Sequence, residues 1–84
     1  MKIKIVYFGR PSETLKLSDE LVDVPAIVRN AGDLLAWLSK RGDIWGQELT
    51  QSRIRCAINQ EFADWKSQLS ENDEVALFSP ISGG

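Results

Sequence analysis

Histidine is absent from the chain, cysteine occurs once, and no apolar run approaches the length of a membrane span. The missing histidine removes the commonest general base and metal ligand. A lone cysteine without histidine forms neither a Cys–His nucleophile pair nor a zinc site, so no bound metal is expected. It also excludes a disulfide within the chain and fits a reducing compartment. Nothing is apolar enough to span a bilayer, and Met1 leads directly into a strand pattern with no secretory leader. A cytoplasmic protein with no membrane partner is expected. Basic clustering is lacking too: the net charge is −2 and the lysines and arginines are scattered. Phosphate recognition needs a concentrated basic surface, so nucleic acid is not an expected partner.

What remains is the composition of an ordinary globular domain. Hydrophobic residues make up 43% and charged residues 26%, both typical of folded chains. Eighty-four residues suffice for one domain, residues 1–84, with a single core of modest stability.

Lys2 to Phe8 alternates with period two, placing Ile3, Ile5 and Tyr7 on one face, and predicts a strand. Gly9 to Ser12 breaks it, and Pro11 is placed to open a short helical turn. Glu20 to Val24 alternates again and stops at Pro25, which suits an edge strand because proline lacks a ladder donor. The clearest helix follows. Asn30 is a good N-cap, and Ala31, Leu34, Leu35 and Leu38 recur at helical spacing. Lys40 and Arg41 favour its C-terminal dipole, and Gly42 is read as its stop. Asp43 to Gln51 carries a weaker pattern, with Ile44, Trp45 and Leu49 covering one end of the core.

Arg53 to Ile58 predicts a third strand, with Ile54, Cys56 and Ile58 on one face and Arg53 and Arg55 outward. Asn59 to Glu61 reads as a tight turn, Phe62 to Trp65 as a short return strand, and Ser70 to Asp73 as another turn. Glu74 to Ile81 is the last strand. The expected class is α+β: a mixed sheet with one main helix packed across it, the first and last strands adjacent and central. That is the β-grasp, or ubiquitin-like, shape. Cys56 shares its face with two isoleucines and is read as a small core residue. Trp37, Trp45 and Trp65 are read as core or rim aromatics.

The end of the chain is the most informative segment. Ser82-Gly83-Gly84 follows directly on strand-like sequence. Two glycines contribute nothing to a core, and their missing side chains let backbone enter a narrow channel. Residues 82–84 are therefore read as a mobile tail that presents the carboxylate of Gly84.

From Met1 to Gly84 the chain resembles the family of molybdopterin synthase small subunits, sulfur carriers of ubiquitin-like fold. The residues that carry the resemblance are Lys2 to Phe8, Asp33 to Leu38, Ala57-Ile58-Asn59-Gln60, Asn72 to Phe78, and above all Pro80-Ile81-Ser82-Gly83-Gly84. The family often has two prolines before the tail where Ser79-Pro80 has one, and often glycine where Asn72 stands. Asparagine tolerates the positive φ that such a turn demands. Arg10 to Pro25 matches poorly.

The resemblance implies a carrier that is not itself catalytic. A ubiquitin-activating-type adenylyltransferase uses ATP to adenylate Gly84, and a donor system turns the glycyl adenylate into a thiocarboxylate, a 1-thioglycine. The loaded tail enters the large synthase subunit, where sulfur passes to cyclic pyranopterin monophosphate and forms the dithiolene of molybdopterin. Gly84 is then the reacting position and Gly83 threads the channel. Ser82 belongs to the inserted tail. Beyond the resemblance, we expect Phe78, Pro80 and Ile81 to anchor its base, with Phe8 close by on the adjacent strand, and these five are the expected partner-binding residues. No cofactor is held by the chain, and a heterotetramer of two small and two large subunits is implied. Two other readings stay open. One is a carrier of the same shape for thiamin thiazole synthesis or tRNA thiolation. The other is a ubiquitin-like modifier whose Gly84 forms isopeptide bonds with lysines.

Overall fold

A computed structural model of the chain describes residues 1–80. Lys2–Phe8 forms β1, and its alternation turns Ile3, Ile5 and Tyr7 into the core. Pro11 sits in the first turn of α1, Arg10–Leu15, where its missing N–H deprives the helix of no bond. β2, Asp19–Asp23, returns antiparallel to β1 and lies at the edge of the sheet, where Pro25 ends the pattern.

α2, Ala31–Ser39, starts on a reciprocal cap. The Asp33 N–H donates to Asn30 Oδ1 at 2.7 Å, and the Arg29 N–H donates to Asp33 Oδ2 at 3.1 Å. Two orphan N–H groups at this end, those of Ala31 and Gly32, donate to the carbonyls of Ser67 and Trp65. Gly32 permits this close approach, because a Cβ there would meet the Trp65 carbonyl at 3.1 Å.

α3 spans Asp43–Glu48, β3 Arg55–Ile58, β4 Glu61–Ala63 and β5 Glu74–Phe78. The strands form one sheet in the order β2-β1-β5-β3-β4, with β1 and β5 parallel and the other pairs antiparallel. The first and last strands are thus neighbours, as expected. Ile3, Ile5, Tyr7, Val75, Leu77 and Cys56 from the sheet join Ala31, Leu34, Leu35 and Leu38 of α2 in one core. Each such large side chain, fully buried, contributes about 1.5–3 kcal/mol. No helix of the described residues is long and apolar enough to cross a membrane.

Local expectations shift at several places: β2 runs Asp19–Asp23 and not Glu20 to Val24, and Ile44, expected to cover the core, is exposed. α2 ends at Ser39, not at Gly42, because the Leu38 carbonyl already accepts from both Lys40 and Arg41. Gly42, with an extended backbone, instead leads into α3, a full helical segment where the sequence pattern was weak. Arg53 is not in a strand: its N–H and that of Ile54 both donate to the Thr50 carbonyl, closing a turn before β3. The Asn59-Gln60 hairpin has two loop residues, with Ile58 opposite Glu61, so β4 begins at Glu61 and ends before Asp64. β5 ends at Phe78, with Ser79 and Pro80 beyond it. Asn72 does take the left-handed conformation, at φ 69°.

A polar latch ties the helices to the sheet. Tyr7 Oη donates to Glu20 Oε2 at 2.6 Å, and Arg41 Nη1 donates to the same oxygen at 2.7 Å. The Tyr7 ring meets Trp45 edge-on, with centroids 6.1 Å apart. Burial pushes the Tyr7 phenol well above its ordinary pKa, and the hydrogen bond to Glu20 and its charge add to the effect.

Candidate functional site: the base of the C-terminal segment

Parallel pairing makes β1 and β5 finish level, with Phe8 beside Phe78. Both lie opposite in parity to the buried Tyr7 and Leu77, so both stand on the face of the sheet away from the core. On the other side of β5, Arg55 stands opposite Phe78. One step back along the sheet, Ala57 lies between Ala76 and Phe62. The two alanines give a shallow floor that leaves room for aromatic rings. Phe62 leans across it to Phe78, with ring centroids 5.9 Å apart and planes at 59°. Phe62 is 88% exposed and Phe8 53% exposed, which is costly for free apolar rings and marks a contact surface. Phe8, Arg55, Phe62, Phe78, Ser79 and Pro80 line a groove of about 670 Å³.

A second, smaller hollow of about 270 Å³ flanks Ser79 and Pro80, lined also by Arg10, Glu48 and Arg53. Glu48 is only 4% exposed, and Arg10 Nε approaches its carboxylate to 3.6 Å. A buried carboxylate requires such a partner. Three arginines far apart in the sequence, Arg10, Arg53 and Arg55, therefore line the hollows where the chain leaves the sheet.

Cys56 borders the aromatic groove but offers it no reactive thiol. Its side chain is buried, its Sγ lies 3.6 Å from the Ala63 carbonyl, and burial, with help from the Asp64 charge, pushes its thiol pKa up. The thiolate needed for nucleophilic attack is disfavoured. Among the described residues no three His, Cys, Asp or Glu side chains are grouped to hold a metal ion. The described side chains supply an apolar wall with a cationic edge, which can hold and orient a protein surface or an extended segment.

Of the residues singled out from the sequence, Phe8, Phe78 and Pro80 come together in this groove. Ile81, Ser82, Gly83 and Gly84 lie outside the described residues. Sequence reasoning missed Phe62 and the arginines. The signal for Phe62 was the hairpin: a two-residue turn at Asn59-Gln60 places it opposite Ala57, on the outer face. The arginine convergence has no local signal, since Arg10 and Arg53 meet only through the tertiary fold.

Comparisons with known proteins agree with this architecture. The chain is 27% identical over 82 residues to the molybdopterin synthase sulfur carrier subunit of Escherichia coli, covering 98% of this chain and 99% of the other. It is 27% identical over 86 residues to the human protein of the same name, covering 99% and 94%. Among solved structures, a putative molybdopterin converting factor subunit 1 from Pyrococcus furiosus superposes with TM-score 0.79 at 23% identity, covering 96% of this chain and 99% of that one. The H. volcanii small archaeal modifier protein 1 gives TM-score 0.67 at 27% identity, covering 95% and 98%. A chain from the complex of subunits 1 and 2 of the Helicobacter pylori molybdopterin-converting factor gives 0.69 at 20% identity, covering both chains fully at 100%. The fold is the ubiquitin-like β-grasp. The model of the ThiS family matches residues 5–84, almost the whole domain, and the chain belongs to that family.

Proposed function

We propose that this chain is the sulfur carrier subunit of a molybdopterin synthase. The observation that carries the reading is the match, over nearly the full length of both chains, to sulfur carrier subunits. The aromatic groove at the base of the C-terminal segment is consistent with it. In this reading the Gly84 carboxylate attacks ATP on an adenylyltransferase partner, forming an acyl adenylate and releasing pyrophosphate. A sulfur donor displaces AMP and leaves a thiocarboxylate. That sulfur then passes to cyclic pyranopterin monophosphate in the large subunit, and the Gly84 carboxylate returns with an oxygen from water. Ordering the segment in that site costs roughly 1–2 kcal/mol per residue. Backbone pairing and the apolar contacts of Phe8, Phe78, Pro80 and Ile81 offset the cost. The H. pylori complex of subunits 1 and 2 supports a large-subunit partner.

A protein-modifier role is the second reading, favoured by the likeness to the H. volcanii modifier protein. Intact mass of the chain isolated from its native host separates the two. Replacement of one terminal oxygen by sulfur is expected, together with co-purification of a pterin-binding large subunit. Lysine-linked conjugates in place of the thiocarboxylate would favour the modifier. Deleting Gly84 should leave the fold intact and abolish product formation; retained activity would remove the central claim.

A further inference from the structure

We propose that Arg10, Arg53 and Arg55 form a cationic collar that docks an acidic rim on the large subunit receiving the C-terminal segment. The proposal rests on the carrier reading above. Three of the chain's five arginines line the two hollows that flank Ser79 and Pro80, and no lysine does. The acid that lines these hollows, Glu48, is buried and faces Arg10. At the opposite end of β5 the carboxylates of Glu71, Asp73 and Glu74 stand near Lys2 and Lys4. The local excess of cations therefore belongs to the tail-base end, on a chain whose net charge is −2.

All three guanidinium groups are already held. Arg10 faces Glu48, Arg53 Nη1 donates to the Gln47 carbonyl at 3.4 Å, and Arg55 Nη1 donates to the carbonyls of Gln51 and Ile54 at 3.2 and 3.1 Å. Every acceptor comes from residues 47–54, the end of α3 and the turn that leads into β3. A guanidinium has five N–H donors in a planar fork suited to carboxylates. Groups oriented in advance lose less freedom on docking than lysines free in solvent. Aromatic rings beside arginines, without lysine, are the composition of a protein interface. Arg10 and Arg53 line one hollow and Arg55 the other, with Ser79-Pro80 between them. A small anion would occupy one hollow, whereas a rim of carboxylates engages both.

The test is the association rate of the intact chain with its own large subunit, measured from about 20 mM to about 300 mM salt. Arg53 is exposed, so Arg53→Glu keeps the fold, which its unfolding midpoint checks. Lys66→Glu, in the loop after β4 and outside both hollows, is the matched control. Arg53→Glu should slow association about tenfold at low salt and Lys66→Glu at most about twofold, the difference closing at high salt. Arg55→Gln, which removes a charge without reversing it, should slow association about threefold. Equal effects of the two reversals, or a salt-insensitive rate for the unmodified chain, would overturn the collar. So would unchanged association with impaired adenylate formation, which assigns the arginines to a nucleotide phosphate. If the unmodified chain does not bind the large subunit at all, the carrier reading falls and takes the collar with it.

Discussion

The guanidinium carbon of Arg41 stands 4.7 Å from the centre of the Trp45 ring, while the same side chain bonds Glu20 on the edge strand. One residue thus pins the α2–α3 link to the outer edge of the sheet. Both charged side chains are partly exposed, at 31% and 20%, so solvent screening weakens the pair. The ring contact adds about 0.5–2 kcal/mol. Arg41→Ala is expected to cost about 2 kcal/mol in urea unfolding with an unchanged slope. A loss below about 0.5 kcal/mol would mean the latch is ornamental.

Tyr7, the chain's single tyrosine, has its pKa raised by burial and by Glu20. Its neutral form is the one that the fold favours. Its contribution to stability is fully present below the unfolded tyrosine's value of about 10 and is lost as pH rises beyond it, because the unfolded chain sheds the proton first. Stability should therefore decline above about pH 10, by up to about 1.4 kcal/mol per pH unit from this group. Tyr7→Phe should be less stable at neutral pH yet show a shallower alkaline decline. Urea titrations at stepped pH compare the two, and identical declines would discard the argument.

Phe62 touches little of its own domain, being 88% exposed. Phe62→Ala should leave stability within about 0.5 kcal/mol while weakening binding to the large subunit about tenfold, as central aromatic anchors do. Calorimetric titration measures the binding and thermal unfolding the stability. Unchanged affinity would place the partner elsewhere on the sheet.

Gln60 takes φ 70° next to Asn59 at φ 51°, the paired left-handed geometry of a tight hairpin. A side chain there costs about 1–2 kcal/mol relative to an unstrained conformation. Gln60→Gly should therefore stabilise the protein, by about 0.5–1 kcal/mol after the entropy lost on ordering glycine. A lower urea midpoint would contradict this reading of the turn.

The sheet was legible in the sequence because its core strands carry a strict period of two. Ile3, Ile5 and Tyr7, then Val75 and Leu77, could face only one way. Asn30 announced α2 by chemistry as well as by spacing, and its cap is made. The end of α2 was misplaced because Gly42 resembles a stop, although the carbonyl of Leu38 is already satisfied by Lys40 and Arg41. α3 escaped notice because six residues, Asp43–Glu48, are too few for periodicity to speak. Phe8, Phe78 and Pro80 could be grouped from strand pairing. Arg10 with Arg53 could not, since their meeting depends on how α1, α3 and the turn before β3 pack together.

β5 is synthesised after every other strand described, yet it lies at the centre of the sheet. Until it inserts, β1–β2 and β3–β4 are two separate hairpins with no shared ladder. Isolated hairpins are marginal in water, and contacts this distant in sequence form slowly. The growing chain therefore cannot commit to its native state early during translation. A ribosome product interrupted before Glu74 lacks the strand that joins the two hairpins, so it remains unfolded and open to proteolysis.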